Sequence, residues 1–137
     1  MTAISKPYAI GAGGAITASD WTANIAWTSY VYDGLGRTVT ETAPDGSVTG
    51  YVYQGNTTKI TDPAGNWKRY TNDALGNLAM VEEPNPANGQ VDNPATNFVT
   101  NYSYDLENHL TQVQMPRPNG GGTYTQTRTF SYDLPTG

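Results

Sequence analysis

The sequence predicts an all-β fold, an antiparallel β-meander of repeated hairpins with little or no helix. A tyrosine phrase recurs along the chain, and its first copies lie about twenty residues apart, as in proteins built from one repeated supersecondary unit. Turn-forming residues separate the copies, with 15 Gly and 9 Pro in the chain of 137 residues, and no stretch has a sustained helical period. Because one such unit cannot bury its own apolar face, the copies are expected to stack on one another.

The tyrosine phrase has five copies, and four of them end in aspartate. They are Tyr30-Val31-Tyr32-Asp33, Tyr51-Val52-Tyr53-Gln54, Tyr70-Thr71-Asn72-Asp73, Tyr102-Ser103-Tyr104-Asp105 and Phe130-Ser131-Tyr132-Asp133. Successive side chains of a strand point to opposite faces, so residues two positions apart share one face. We therefore expect the two rings of a copy to lie on the same side of a strand.

A turn is expected after three of these aspartates, because glycine or asparagine follows each of them three residues later. The pairs are Asp33 and Gly36, Asp73 and Gly76, and Asp105 and Asn108. Glycine and asparagine are the residues that best tolerate a left-handed backbone, so their exchange at one position predicts a positive φ there. The aspartate is expected to accept hydrogen bonds from the turn amides.

A second turn has proline at its second position and glycine at its fourth. The two copies are Ala43-Pro44-Asp45-Gly46 and Asp62-Pro63-Ala64-Gly65, which match the residue preferences of a type I turn. Gln54-Gly55-Asn56 replaces the longer aspartate turn and predicts a tight hairpin.

These turns separate nine predicted strands, preceded by an irregular lead-in over residues 1–26 and contained in a β-strip over residues 27–137. The strands are predicted at 27–32, 37–43, 47–53, 57–62, 66–72, 77–83, 97–104, 109–114 and 123–132.

Two polar insertions, residues 84–97 and 115–122, interrupt the strip. Both stand in the place of the second turn, so they are expected as surface loops on one edge of the sheet. The longer insertion is expected to be removable, with Glu83 joined to Phe98 through a short turn.

Charge and composition exclude several classes of function. Lys and Arg number 7 against 12 Asp and Glu, a net charge of −5, whereas nucleic-acid binding normally requires a basic patch. No apolar run approaches the length of a membrane span, so no membrane insertion is expected. The chain has no cysteine and therefore no disulfide.

Catalysis is not expected, and neither is a metal or another cofactor. His109 is the only histidine, which leaves no histidine–cysteine metal cluster. It occupies the position that Arg37 and Asn77 hold in other copies, which indicates a solvated strand position. The aspartates recur in one environment, whereas a catalytic pair of carboxylates needs two unlike environments.

The combined phrase resembles the YD repeat of the Rhs family. The family pattern is tyrosine-x-tyrosine-aspartate, two variable residues, glycine, arginine or asparagine and an apolar residue, with a proline-glycine turn beyond. Residues Tyr30 to Gly46 and Asp62 to Leu78 carry it nearly complete, and looser copies extend the resemblance to Asp133. The residues that the repeat assigns a structural role are Tyr30, Tyr32, Asp33, Gly36, Pro44, Gly46, Tyr51, Tyr53, Pro63, Gly65, Tyr70, Asp73, Gly76, Tyr102, Tyr104, Asp105, Asn108, Tyr132 and Asp133.

The resemblance implies a non-catalytic structural segment of a larger secreted or cell-surface protein. Family members include secreted polymorphic toxins, wall-associated bacterial proteins, cage subunits of insecticidal toxin complexes and animal teneurins. In the toxins, a β-strip spirals into a hollow shell that encloses a C-terminal effector. The expected partners are therefore adjacent repeats of the parent chain and such an effector, together with further copies of this chain that pair through sheet edges.

The alternative hypothesis is a carbohydrate-binding or adhesive module. Aromatic rings exposed on a flat sheet stack on sugar rings, and Trp21, Trp27 and Trp67 are the candidates, with several tyrosines. For the repeat tyrosines the favoured interpretation is instead that their rings stack on each other between copies, since aromatic pairs add about 0.5–1.5 kcal/mol beyond the burial of area.

Overall fold

A computed structural model describes residues 2–5, 27–119 and 122–132, and the side chains of 27–116 and 125–132. The chain divides into two compact units, Met1–Tyr51 and Val52–Gly137. In both units the described strands are antiparallel to their sequence neighbours. The helical content of the described residues is one short 3-10 turn in the second unit, Pro86–Asn88. The predicted all-β meander is confirmed.

The first unit is a meander in sequence order. Its strands are β1 (Thr2–Ser5), β2 (Trp27–Tyr32), β3 (Thr38–Thr42) and β4 (Val48–Gln54), the last of which continues into the second unit. β2 lies between β1 and β3, with Tyr30 opposite both Thr2 and Glu41. β3 pairs in turn with β4, with Thr40 opposite Gly50.

The second unit continues the same pattern. Its strands are β5 (Thr57–Thr61), β6 (Trp67–Asn72), β7 (Leu78–Glu83), β8 (Phe98–Tyr104), β9 (Leu110–Asn119) and β10 (Gly122–Thr129). Each is antiparallel to the next. Gly55 and Asn56 form the two-residue connection between β4 and β5, with φ 58° at Gly55, so the predicted tight hairpin is present.

Two sequence-based expectations are wrong in detail. β9 runs to Asn119 and β10 begins at Gly122, so most of the predicted loop 115–122 is strand. The reason is that the described β8–β9 register ends at Gln114, whereas the β9–β10 register continues to Asn119. This last part of β9 has a described neighbour on one side, and a strand of that kind accommodates prolines such as Pro116 and Pro118.

The second difference concerns the lead-in that was predicted to be irregular. Thr2–Ser5 form a strand that pairs with β2. The rest of the predicted lead-in lies outside the described residues.

Five turns share one backbone geometry, although the sequence suggests two kinds. In each, the first N–H donates to the fifth carbonyl and the fourth N–H to the first carbonyl, at 2.8–3.1 Å. They are residues 33–37, 43–47, 62–66, 73–77 and 105–109. The fourth residue has positive φ in every case, with 91° at Gly76 and 70° at Asn108. This is a type I turn followed by a left-handed bulge residue, so the aspartate and proline turns are equivalent.

The core is thin. Among the residues whose side chains are described, the buried apolar ones are Trp67, 4% exposed, and Val81, 9% exposed. Val81 lies between Tyr70 of β6 and Thr100 of β8 in the register of the sheet. With so little apolar burial, hydrogen bonds and cross-strand pairs carry a larger share of the stability than in a two-layer domain.

The left-handed residue of the turn gives a first prediction. Gly36→Val should lower the free energy of unfolding by about 1–3 kcal/mol because valine is strained at positive φ, here 79°. Gly36→Asn should cost less, because Asn108 adopts that conformation in the equivalent position. Thermal melting of the two variants is the measurement.

Gly34→Val is the matched control. Gly34 lies in the same turn without a positive φ, and an added Cβ meets nothing within 4 Å at either glycine. Equal melting temperatures for the two valine variants would contradict the assignment of the strain to the backbone of Gly36.

Candidate functional site

The aspartate that opens a turn uses both of its carboxylate oxygens. Oδ1 of Asp33 accepts the backbone N–H groups of Leu35 and Arg37, at 2.9 and 3.0 Å. Its Oδ2 accepts Nε of Arg37 at 2.8 Å. The same arrangement joins Asp62 with Asn66, Asp73 with Asn77, and Asp105 with His109.

The position four residues after the aspartate is therefore a partner of the turn. His109 is exposed, as predicted for a solvated position, and it also contacts the turn, since its Nδ1 lies 3.3 Å from Oδ2 of Asp105. The residues found there, arginine, asparagine and histidine, all carry a side-chain nitrogen. That shared property is the feature of the sequence that predicts a contact between this side chain and the turn aspartate.

These hydrogen bonds lower the pKa of the aspartates. The chief cause is the backbone N–H of Arg37 for the pKa of Asp33 and that of His109 for the pKa of Asp105. The chief cause for the pKa of Asp62 and of Asp73 is the side chain of the asparagine four residues later. A general acid that works near neutral pH needs a raised pKa, so these carboxylates act as turn caps.

The second tyrosine of a copy bonds to the copy before it. The hydroxyl of Tyr104 donates to the carbonyl of Leu78 at 3.0 Å, and that of Tyr132 donates to the carbonyl of Leu110 at 2.9 Å. Each leucine is the fifth residue after the aspartate of the preceding copy. One recurrent hydrogen bond thus ties successive copies together.

Within a copy, the rings of Tyr30 and Tyr32 stack with centroids 6.4 Å apart. They share one face of β2, as the two-residue spacing predicts. Tyr51 donates a hydrogen bond to Oε2 of Glu41 at 3.3 Å.

The other predicted repeat residues fall into three groups. The prolines and glycines Pro44, Gly46, Pro63 and Gly65 lie in turns. The half-buried tyrosines Tyr53, Tyr70 and Tyr102 lie on β4, β6 and β8. Asp133 lies outside the described residues.

The insertion 84–97 is largely exposed, as expected of a surface loop, but some of its residues pack on the sheet. That it is removable stays a prediction. Oδ2 of Asp92 accepts a hydrogen bond from Nζ of Lys59 at 2.8 Å and another from the guanidinium of Arg69. Nδ2 of the buried Asn97 donates to Oδ1 of the same carboxylate at 3.2 Å. Burial raises the pKa of Asp92, but its bonds to Lys59 and Asn97 and the charge of Arg69 outweigh this and leave that pKa lowered.

Trp67 is buried beneath this insertion. Its indole N–H donates to the carbonyl of Gln90 at 2.9 Å. Nζ of Lys59 lies 4.3 Å from the ring centroid and Cζ of Arg69 lies 5.3 Å from it, within the range of cation–π attraction.

The structure therefore contradicts the prediction of Trp67 as an exposed platform for sugars. Of the other two candidates, Trp27 is half-buried on β2 and Trp21 lies outside the described residues.

The insertion also forms one wall of a pocket of about 460 Å³. Its floor is a row of four side chains across β5 to β8, in the order Ile60, Lys68, Glu83 and Phe98. Nζ of Lys68 lies 2.7 Å from Oε1 of Glu83, and this contact raises the pKa of Lys68. Tyr70, Pro84, Pro86 and Gln90 line the walls.

A second, more open hollow of about 380 Å³ surrounds His109. The ring centroid of His109 lies 4.8 Å from that of Tyr132. In the described part of the chain, no three His, Asp or Glu side chains are grouped to hold a metal ion. The same residues include no helix with the length and hydropathy of a membrane span.

Comparison with known proteins finds a family match for one part of the chain. A family model described as RHS Repeat matches residues 32–66. The matched stretch begins at the end of β2, includes the first three of the five equivalent turns and contains Asp33 and Asp62. No curated protein matches the chain.

The turn aspartates predict a dependence of stability on pH. Because the folded-state pKa of each is lowered, their contribution is complete above the ordinary pKa of aspartate, about 3.9, and is lost as the pH falls through the lowered values. Asn77→Ala should raise the pKa of Asp73 toward the ordinary value, since the asparagine side chain is its chief cause. Titration of the ¹³C carboxyl resonances measures this change.

The Asp33 resonance of the same variant is the control, because Asn77 has no part in that turn. An unchanged titration of Asp73 would contradict the assigned cause.

The contacts of the insertion give a third prediction. Asp92→Ala should lower the free energy of unfolding by about 1–2 kcal/mol, since it leaves Lys59 and Arg69 close together without their shared carboxylate. Val91→Ala is the matched control, because Val91 is exposed and adjacent. Urea unfolding monitored by circular dichroism compares the two variants, and equal midpoints would contradict a structural role for Asp92.

Proposed function

Because this chain is a repeat protein with a YD/Rhs repeat at residues 32–66, we propose that it is a structural segment of a larger secreted or cell-surface protein. In this proposal the segment forms part of a β-shell that encloses or presents an effector. RHS repeats are structural repeats and generally occur in extracellular or cell-surface proteins. The shell, the effector and the location of this chain are the proposed steps beyond that.

The observation that carries the proposal is the hydrogen bond between successive copies. Tyr104 bonds to Leu78 and Tyr132 bonds to Leu110, so each of these two copies is fixed to the one before it. Because each unit contacts only its neighbours, further units can be joined in the same way, and a chain of such units extends as a strip. A long strip is the element from which a shell wall is built.

The chemistry of the repeated carboxylates favours a structural role for the chain over a catalytic one. All four turn aspartates have lowered pKa values and accept hydrogen bonds from backbone N–H groups of their own turns. Each of them therefore holds a turn and remains ionised, with no member set apart as a proton donor.

The edge of the second unit supports addition of further strands. β10 pairs with β9 in the described register, and residues 125–129 of β10 are exposed. A strand edge of this kind offers backbone groups for pairing with another repeat or another copy of the chain.

Electron cryomicroscopy of the complete natural polypeptide that contains this chain tests the proposal. The expected result is a closed wall of β-strips in which these repeats are continuous with their neighbours. An extended strip without an enclosed space would contradict the shell. Protease treatment of the same sample should spare any enclosed segment, and digestion of all segments at equal rates would contradict enclosure.

A glycan array with the purified chain tests the alternative of a carbohydrate-binding module. The scaffold proposal expects no specific signal. Binding that is lost in Trp27→Ala and kept in Val52→Ala, a control at an exposed apolar residue, would replace the scaffold with an adhesive role.

A further inference from the structure

The pocket beside the insertion has a rim that hydrogen bonds hold in place. At the comparable position between β5 and β6, five residues, 62–66, make the turn. Between β7 and β8 the chain uses residues 84–97 instead, and it fixes them with the Trp67–Gln90 hydrogen bond and with a hydrogen bond of 2.9 Å between Gln90 and Asn66. These contacts hold Pro84, Pro86 and Gln90 at the rim of the pocket.

The floor of the pocket has two charged side chains at its centre and one apolar side chain at each end. Ile60 lies opposite Lys68 in the register, Glu83 lies opposite Phe98, and the two charged side chains meet in the middle at 2.7 Å. Lys68 is 55% and Glu83 33% exposed, so their outer hydrogen-bonding positions are open to a ligand. The centre of the floor therefore offers one donor and one acceptor, and each end offers an apolar side chain.

The positive and negative charges of this floor favour a neutral ligand over an ion. A phosphate or carboxylate would meet Glu83 as well as Lys68, and a cation would meet Lys68 as well as Glu83, so neither gains a net attraction from this pair. Asp62 also lines the pocket, but both of its carboxylate oxygens accept hydrogen bonds from Asn66. A neutral group with one acceptor and one donor complements the pair. The peptide group has this character, with a carbonyl for Lys68 and an N–H for Glu83.

The length of the floor agrees with a short extended segment. Ile60 and Phe98 lie on strands three intervals apart, about 14 Å at the usual spacing of neighbouring strands. About four residues of extended chain span that distance. The pocket volume of about 460 Å³ falls within the range typical of ligand sites.

We propose that this pocket binds a short extended segment of another polypeptide. A central peptide group of the segment bonds to Lys68 and Glu83, and apolar side chains at its two ends contact Ile60 and Phe98. This inference stands apart from the scaffold role, because a peptide site neither requires nor excludes a shell.

Titration of the ¹⁵N-labelled chain with the capped tetrapeptide acetyl-Leu-Gly-Gly-Phe-amide tests the proposal by NMR. The expected result is saturable shifts of the Trp67 indole N–H and of the backbone amides of Lys68 and Glu83. Acetyl-tetraglycine-amide is the matched probe without apolar ends and should bind at least about tenfold more weakly. Maltose and inorganic phosphate, added separately, represent the other ligand classes.

The variant with both Lys68→Ala and Glu83→Ala should weaken binding of the tetrapeptide by about tenfold. Glu107→Ala is the control, because Glu107 is exposed in the same unit and lies outside this pocket. Melting temperatures verify that each variant is folded. Because the map of shifts on the unmodified chain needs no substitution, the test holds even if the double variant unfolds.

Four outcomes would overturn the proposal. They are no shift up to about 10 mM tetrapeptide, equal binding of tetraglycine, shifts that lie outside the pocket, and stronger binding of maltose or phosphate at the same residues. The first three would remove the site, and the last would assign it to a different ligand. None of them would bear on the architecture of the parent protein.

Discussion

The structure depends on the carboxylate that opens four of the five equivalent turns. Because it binds the backbone N–H groups two and four residues later, it fixes both the length of the turn and the left-handed bulge residue. Side chains of a strand alternate between faces, so a turn one residue longer would move every following side chain to the opposite face. Asp73 and its equivalents therefore set the register in which Tyr104 can reach the preceding copy.

The ionised state of these aspartates belongs to the same constraint. A carboxylate accepts several hydrogen bonds, whereas its protonated form has lost part of that capacity. The bonds that hold the turn also lower the pKa of Asp33 and Asp73, so the turn keeps its cap at any pH above the acid range. Structure and charge state support each other in all four turns that open with aspartate, which explains why the same turn recurs along the chain.

The insertion covers part of a sheet that has no second layer packed against it among the described residues. A sheet with few aliphatic residues exposes a wide face, and Trp67 would be its largest exposed ring. Asp92 binds Lys59 and Arg69, which both lie close to that ring, and the backbone of Gln90 accepts its indole N–H. The insertion thus covers part of the sheet, and it also provides the rim of a pocket.

The sequence by itself determined the strands, the turns and the positive φ at positions such as Gly76 and Asn108, because these follow from local backbone sterics and the two-residue period. From β2 to β8 the predicted strands differ from the observed ones by no more than one residue at either end. Tertiary structure alone decided the burial of Trp67, the docking of residues 84–97 and the extension of β9. Each of these depends on which side chains or strands far apart in the sequence become neighbours. A local pattern of residues does not determine which distant residues meet.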